Sequence, residues 1–294
     1  MRNLVSTMLC VALAGAAIPV SGASAKEMRD GGKLLLTGGV SSVEGAAGGG
    51  LASWAVISGE ETEAGIGGSV HATYVPLPDF DLTSYGGAVG FRNRFELSYA
   101  HQGFNTRAAG AALGLGHGFV FSQDVFGAKL RLIGDAVYDQ DRLLPQISVG
   151  VQHKRANQAA IIAAVGGQAS NGTDFYVAAT KVLLAQSLVV NTTVRFTKAN
   201  QFGLLGFGGD GNDRYHPEFE GSAGVLVARN LLIGAEYRTK PDNLGFAREN
   251  DTYDLFAALS VARHFALTAA YVDLGDIATV KRQRGAFLSI QGSF

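Results

Sequence analysis

Apolar and polar residues alternate with a period of two over most of this chain, which restricts those stretches to strands with one greasy face. In Phe95-Glu96-Leu97-Ser98-Tyr99-Ala100-His101-Gln102, one face reads Phe, Leu, Tyr, His and the other Glu, Ser, Ala, Gln. Ile147, Val149 and Val151 stand opposite Gln146, Ser148, Gly150, Gln152 and Lys154. Leu231, Ile233, Ala235 and Tyr237 oppose Gly234, Glu236, Arg238 and Lys240 in the same way. Beyond residue 25 no apolar run reaches the roughly 18 residues of a helical span, so helical membrane crossings are excluded there.

The pattern predicts strands over 33–43, 50–58, 64–74, 80–91, 94–104, 123–134, 145–155, 173–184, 187–197, 218–228, 231–240, 252–262, 264–273 and 284–294. Tight turns at Arg92-Asn93, Ala185-Gln186, Ala228-Arg229-Asn230 and Arg263-His264 alternate with long polar or glycine-rich loops at 105–122, 156–172, 198–217, 241–251 and 274–283. Short turns on one side and long loops on the other are the asymmetry of an antiparallel up-and-down transmembrane β-barrel. The expected fold is therefore all-β, with about 14 strands over 33–294 and with 12 or 16 as the alternatives. Parity favours an even number, and 33–43 supplies the fourteenth. The short connection 75–79 departs from the pattern, because it falls on the long-loop side.

The first 25 residues read as an address. Arg2 supplies a positive start, Leu4 to Ala17 an apolar stretch, and Ala23-Ser24-Ala25 a small-residue cleavage pattern. Export with cleavage near Ala25 leaves 26–32 as a periplasmic segment before the barrel and removes Cys10, the sole cysteine. A disulfide framework and a cysteine zinc site are thereby excluded. With 24 Lys+Arg against 25 Asp+Glu, the chain lacks the basic excess of a nucleic-acid binder.

Charges within the strands fall opposite the greasy row, which makes Glu96, Lys129, Arg131, Lys154, Lys181, Arg195, Glu220, Glu236 and Arg238 the lumen-facing candidates. Aromatics on the greasy face form two expected belts. Tyr99, Phe126, Phe196, Phe219, Tyr237, Tyr253 and Tyr271 mark the long-loop side, and Phe91, Phe95, Phe265 and Phe294 the short-turn side. Leu288, Ile290 and Phe294 share one face at the end of the chain, an alternation similar to the terminal assembly signal of bacterial outer-membrane proteins.

Four longer phrases carry a family resemblance: Tyr74 to Asp81, Asp135 to Asp141, Phe196 to Asp210 and Ala235 to Phe246. They resemble the domain-of-unknown-function 3034 family, exported proteobacterial proteins of the outer membrane, over about 33–294. The resemblance implies a location in the outer membrane of a Gram-negative cell and brings no activity with it.

Other chemistry is sparse. The glycine clusters 86–90 and 114–118 lack the strand–loop–helix setting of a dinucleotide site, so no cofactor is expected. The run Gly208 to Arg214 holds two carboxylates without the glutamate that completes a calcium loop, so no metal is expected either. His101 and His153 fall on the greasy face where an interfacial lipid hydrolase would keep its base, but no outward serine or acid is evident beside them. No catalytic residue is assigned. Six bases facing three acids in the lumen imply weak anion preference in an open pore, though pairing across the lumen is favoured over a selectivity filter. The apolar loop 159–166 is expected to fold into the mouth or pack on the rim as a short helix. The expected function is a porin-like channel for small solutes, with a non-conducting structural or surface-binding barrel as the alternative. A lipid hydrolase is the remote third reading. The expected partners are outer-membrane lipid, periplasmic chaperones and the barrel-assembly machinery, with no nucleic acid.

Overall fold

The computed structural model describes Leu36, residues 40–61, Glu63 and residues 65–294. The expected signal peptide, its cleavage site and the segment 26–32 lie outside the described residues, as does most of the stretch 33–39.

Twelve antiparallel strands close into one barrel. They are β1 (Ile66–Pro76), β2 (Asp81–Phe91), β3 (Phe95–Asn105), β4 (Val120–Ile133), β5 (Gln146–Ala156), β6 (Asn171–Leu183), β7 (Leu188–Thr197), β8 (His216–Ala228), β9 (Leu231–Arg238), β10 (Thr252–Ala262), β11 (Phe265–Asp273) and β12 (Arg284–Ser293). Each pairs with its sequence neighbour, and β1 pairs with β12 from Ser69↔Ser293 to Tyr74↔Leu288. Closure leaves no unpaired edge among the strands, which a sheet surrounded by hydrocarbon requires. Two short helices ride on the long loops: α1 (Ala109–Ala112) between β3 and β4, and α2 (Ala159–Ala164) between β5 and β6. The second is the short rim helix expected of 159–166.

The greasy face points outward. Leu97, Ile233 and Leu267 are 47%, 47% and 38% exposed, and Phe95, Tyr99, Phe126, Phe196, Phe219, Tyr237, Tyr253, Phe265, Tyr271 and Phe294 are exposed on the same exterior. Phe91 is half-buried there. Leu288 and Ile290 also lie outside. Tyr99 and Phe126 sit midway along β3 and β4, where they pair in register with ring centroids 5.2 Å apart, so they depart from the expected end-of-strand belt. A continuous apolar exterior around a closed sheet is a surface suited to hydrocarbon, since water would leave that area unsatisfied.

The strand count corrects the expectation of fourteen to twelve. The described residues of the predicted strands 33–43 and 50–58 do not join the sheet. Residues 40–59 are buried continuously, without alternation, because they run inside the barrel. Their only regular pairings are the isolated bridges Ser41↔Ala47 and Gly48↔Ser53. Surrounded on all sides, this plug has no solvent face to record as a period of two. Val43 and Leu51 reach the apolar layer near the long loops, with Val75, Phe80, Phe104 and Phe287. Ala47, Ala52, Trp54 and Val56 pack in a second layer, with Val182, Val189, Leu232 and Phe256, toward the short turns.

The short-turn end also differs in one place. The connection between β4 and β5 runs through 134–145, and it tucks Ala136 and Val137 into the lower layer instead of turning tightly. Lys181 holds it there by donating to the carbonyls of Asp135, Asp139 and Leu144.

Glycine is needed at Gly45 for two reasons. Its φ is +89°, and an added Cβ would lie 2.8 Å from the carbonyl oxygen of Tyr99 in the wall. Gly45→Ala should lower stability by about 1–3 kcal/mol, read as an earlier midpoint in urea unfolding of the refolded protein. Leu97→Arg places charge on the hydrocarbon side and should lose about 2–4 kcal/mol if Leu97 lies near the bilayer midplane, measured by the same titration in lipid vesicles.

Candidate functional site

A plug of irregular backbone inside a barrel leaves its N–H and C=O groups without ladder partners, and each unpaired one would cost several kcal/mol in a dry interior. The alternation that sends Glu96, Lys129, Lys154, Arg195, Glu220, Glu236 and Arg238 inward brings them onto the plug, where Glu96, Lys129, Glu220, Glu236 and Arg238 supply those partners and Lys154 and Arg195 bond its side chains. Glu96 accepts from the N–H groups of Ala47 and Ser58 at 3.3 and 2.8 Å, and Lys129 donates to the carbonyls of Ala47 and Val56 at 3.1 and 2.8 Å. Glu220 accepts from the N–H of Ser53, and Glu236 from that of Leu51 at 2.7 Å. Arg238 donates to the carbonyl of Leu51. Trp54 in turn donates its indole N–H to Ser222 at 3.0 Å.

At the tip of the plug sits Glu44, fully buried and surrounded by cations. Lys154 Nζ lies 2.5 Å from it, Arg238 3.2 Å and Arg195 3.5 Å. Asp174 and Glu220 complete the layer: Lys154 pairs with Asp174 at 2.8 Å, and Arg195 pairs with Glu220. Lys129 and Glu96 form a separate pair at 3.1 Å. Asp254 stands across from Glu236 in the β9–β10 register, so two carboxyls meet beside Gly50.

Two of the lumen candidates are placed elsewhere. Arg131 lies at the short-turn rim beside a register shift in β4, donating to the carbonyl of Gly134 and pairing with Asp135 at 3.1 Å. Lys181 is the rim residue that holds 134–145. The expected balance of six bases to three acids is therefore corrected. Around the middle of the plug, Lys129, Lys154, Arg195 and Arg238 face the carboxyls of Glu44, Glu96, Asp174, Glu220, Glu236 and Asp254. Nothing in that balance favours anions. Asp174 and Asp254 were readable from alternation, since Asp174 stands beside outward Phe175 and Asp254 between outward Tyr253 and Leu255. Glu44 carried no such signal, because its neighbours do not alternate.

Above the charge layer the long loops close over the mouth. The turn through Asn200–Gly203 dips toward the plug, and its Gln201 and Phe202 both adopt positive φ, 45° and 59°. Two adjacent non-glycine residues in this region store roughly 1–2 kcal/mol each, so the surroundings must hold them. Lys154 donates to the Phe202 carbonyl at 3.1 Å, and the Arg238 guanidinium lies 4.5 Å from the centre of the Phe202 ring. Glu249, from the loop after β9, accepts the N–H of Gln201 at 2.8 Å. A cavity of about 140 Å³ lies over this turn. Its walls come from the β1–β2 connection and from all five long loops, and only Thr106 and Gln201 among its lining residues are polar.

On the exterior, His101 Nδ1 lies 2.9 Å from Asp124 Oδ1, and Tyr99 donates to the same oxygen. This corrects the reading that no acid stands beside His101. Asp124 is directly opposite in the β3–β4 register, a neighbour that strand-by-strand reading does not show. His153 contacts the hydroxyl of Thr173 at 3.0 Å. The ring bonds of His101 to a carboxylate and of His153 to a threonine do not assemble a nucleophile, base and orienting acid.

A family model described as Protein of unknown function (DUF3034) matches residues 37–291. The chain belongs to that family. No curated protein matches its sequence. Solved structures with similar folds include the KdgM porin, 12% identical over 77% of this chain and 99% of that one, with a TM-score of 0.49. The COG4313 outer membrane channel from Pseudomonas putida F1 is 14% identical over 80% of this chain and 96% of that one, with a TM-score of 0.46. Outer membrane phospholipase A from Escherichia coli is 7% identical over 76% and 95%, with a TM-score of 0.43.

In this DUF3034 member the mouth carries a pH-sensitive contact. Burial pushes the Glu249 carboxyl up to about 7 despite Lys240 at 3.7 Å, and burial pushes Lys240 down. A carboxyl whose folded pKa is raised adds stability below its unfolded value, and that contribution is lost as pH rises through 7. Stability of the mouth should therefore fall between about pH 4.5 and 7 and should become flat across that window in Glu249→Gln, measured by hydrogen exchange of the Gln201 amide.

Proposed function

We propose that this chain is an outer-membrane barrel that admits small solutes and is held shut by its own N-terminal segment. The apolar exterior supports the membrane location. Short turns then face the periplasm, long loops face outward, and Leu288, Ile290 and Phe294 form the terminal signal for barrel assembly. Export with cleavage near Ala25 belongs to the same reading.

The observation that carries the proposal is the chemistry of the lumen beneath the plug. Buried ion pairs are poor stabilisers compared with well-packed apolar groups, because desolvation offsets their attraction. A barrel built only for rigidity would be served better by an apolar filling. This lumen instead keeps Lys129, Lys154, Arg195 and Arg238 among carboxylates, a lining that water solvates once the plug leaves. The tip of the plug, Glu44-Gly45-Ala46-Ala47-Gly48-Gly49-Gly50, is anchored by polar contacts, while Val43, Leu51, Trp54 and Val56 pack in the apolar layers on either side. Withdrawal exchanges those contacts for water.

Planar-bilayer recording tests this. The intact protein should be silent. Glu44→Gln removes the shared partner of three cations, a loss on the order of 3–5 kcal/mol, and should produce conductance steps. The hydroxyl oxygens of Ser41 and Ser69 lie 3.2 Å apart, plug against wall. Adding Ser41→Cys with Ser69→Cys to the Glu44→Gln protein should suppress the steps on oxidation and restore them with reductant. Silence of folded Glu44→Gln protein in 1 M salt would leave the barrel as a non-conducting scaffold.

A further inference from the structure

The outer cavity has its own chemistry, separate from the charged lumen. About 140 Å³ is close to the roughly 150 Å³ of an engineered apolar cavity that stays dry and takes up benzene. Its lining includes Phe80, Leu82, Phe104 and Phe121 from the barrel top, and Leu115 and Val165 from two separate loops. The two polar members are already engaged. Thr106 donates its hydroxyl to the Phe119 carbonyl at 2.8 Å, and Gln201 donates its amide to the Asp276 carbonyl at 3.3 Å. No cationic side chain belongs to the lining, and Arg238 and Lys240 lie against the Phe202 ring instead. A carboxylate or phosphate entering this space would lose its hydration without a partner.

Protein interiors normally fill a void of this size, because its lining forfeits dispersion contacts on every side. Here the loops are held apart. Glu249 and Asp276 hold Gln201, Thr106 ties α1 to the start of β4, and Ile277 and Val280 bond each other across the last long loop. The positive-φ pair Gln201 and Phe202 forms part of that frame, so backbone strain is spent on keeping the floor in place. A preformed, apolar, partly open recess with its polar groups satisfied has the form of a small-molecule site.

We infer that this cavity binds a compact uncharged hydrocarbon of about one aromatic ring. The inference rests on the geometry of the mouth and stands whether or not the lumen conducts. The ligand makes dispersion contacts with the phenylalanine and leucine walls, and it needs no displacement of the plug.

Toluene uptake by the purified full chain in detergent, measured by headspace gas chromatography against protein-free micelles, tests the site. Saturable binding of about one toluene per chain is expected, and equimolar benzoate should leave it unchanged. Leu115→Trp and Val165→Phe fill the space from different loops and should each weaken binding at least tenfold, with heat-modifiable gel mobility reporting that the barrels have folded. Uptake no greater than that of the micelles would overturn the assignment, as would equal binding by both folded variants. Displacement of toluene by benzoate would overturn the uncharged class.

Discussion

The satisfaction of irregular backbone inside a closed barrel governs this molecule. A sheet that closes on itself meets its own hydrogen-bonding needs, but a segment threaded through it cannot join the ladder. The wall answers with long charged side chains. Glu96, Glu220 and Glu236 receive plug N–H groups, and Lys129 and Arg238 reach plug carbonyls. Charges that look like a pore lining in isolation are, in this structure, hydrogen-bond partners of one specific segment. Their mutual pairing follows from the same crowding, because each must also be neutralised away from water.

The lumen is consequently layered. An apolar layer near the short turns holds Trp54 and Val56, a charged layer surrounds Glu44, and a second apolar layer at Val43 and Leu51 leads up to the outer cavity. Polarity changes twice along the axis. From the long loops inward, an apolar layer comes first and the ionic layer after it. The mouth and the lumen are thus built from different chemistry on different residues.

The wall of this fold was legible because each strand has one dry and one enclosed face. The twelve predicted segments from 64–74 to 284–294 all correspond to strands, and the inward parity of Glu96, Lys154 and Arg195 followed directly. The plug was illegible for the converse reason. Leu51-Ala52-Ser53-Trp54-Ala55-Val56-Ile57 is apolar enough for a buried strand, and nothing local tells a segment flanked by two strands from one ringed by twelve. Contacts set by register were equally hidden. Asp124 is 23 positions from His101 in the chain and directly opposite it in the sheet. The outer cavity depends on several loops meeting, which no periodicity records.

Trp54 is the sole tryptophan of the sequence, and it lies in the plug, bonded to Ser222 and 3% exposed. The molecule therefore contains an intrinsic optical gauge confined to the plug. Emission from the indole reports whether residues 40–61 are seated against the sheet, because its burial and its bond to Ser222 both come from the wall. A blue-shifted spectrum belongs to the seated segment, and a red shift with intact far-ultraviolet β-signal would belong to an emptied cylinder.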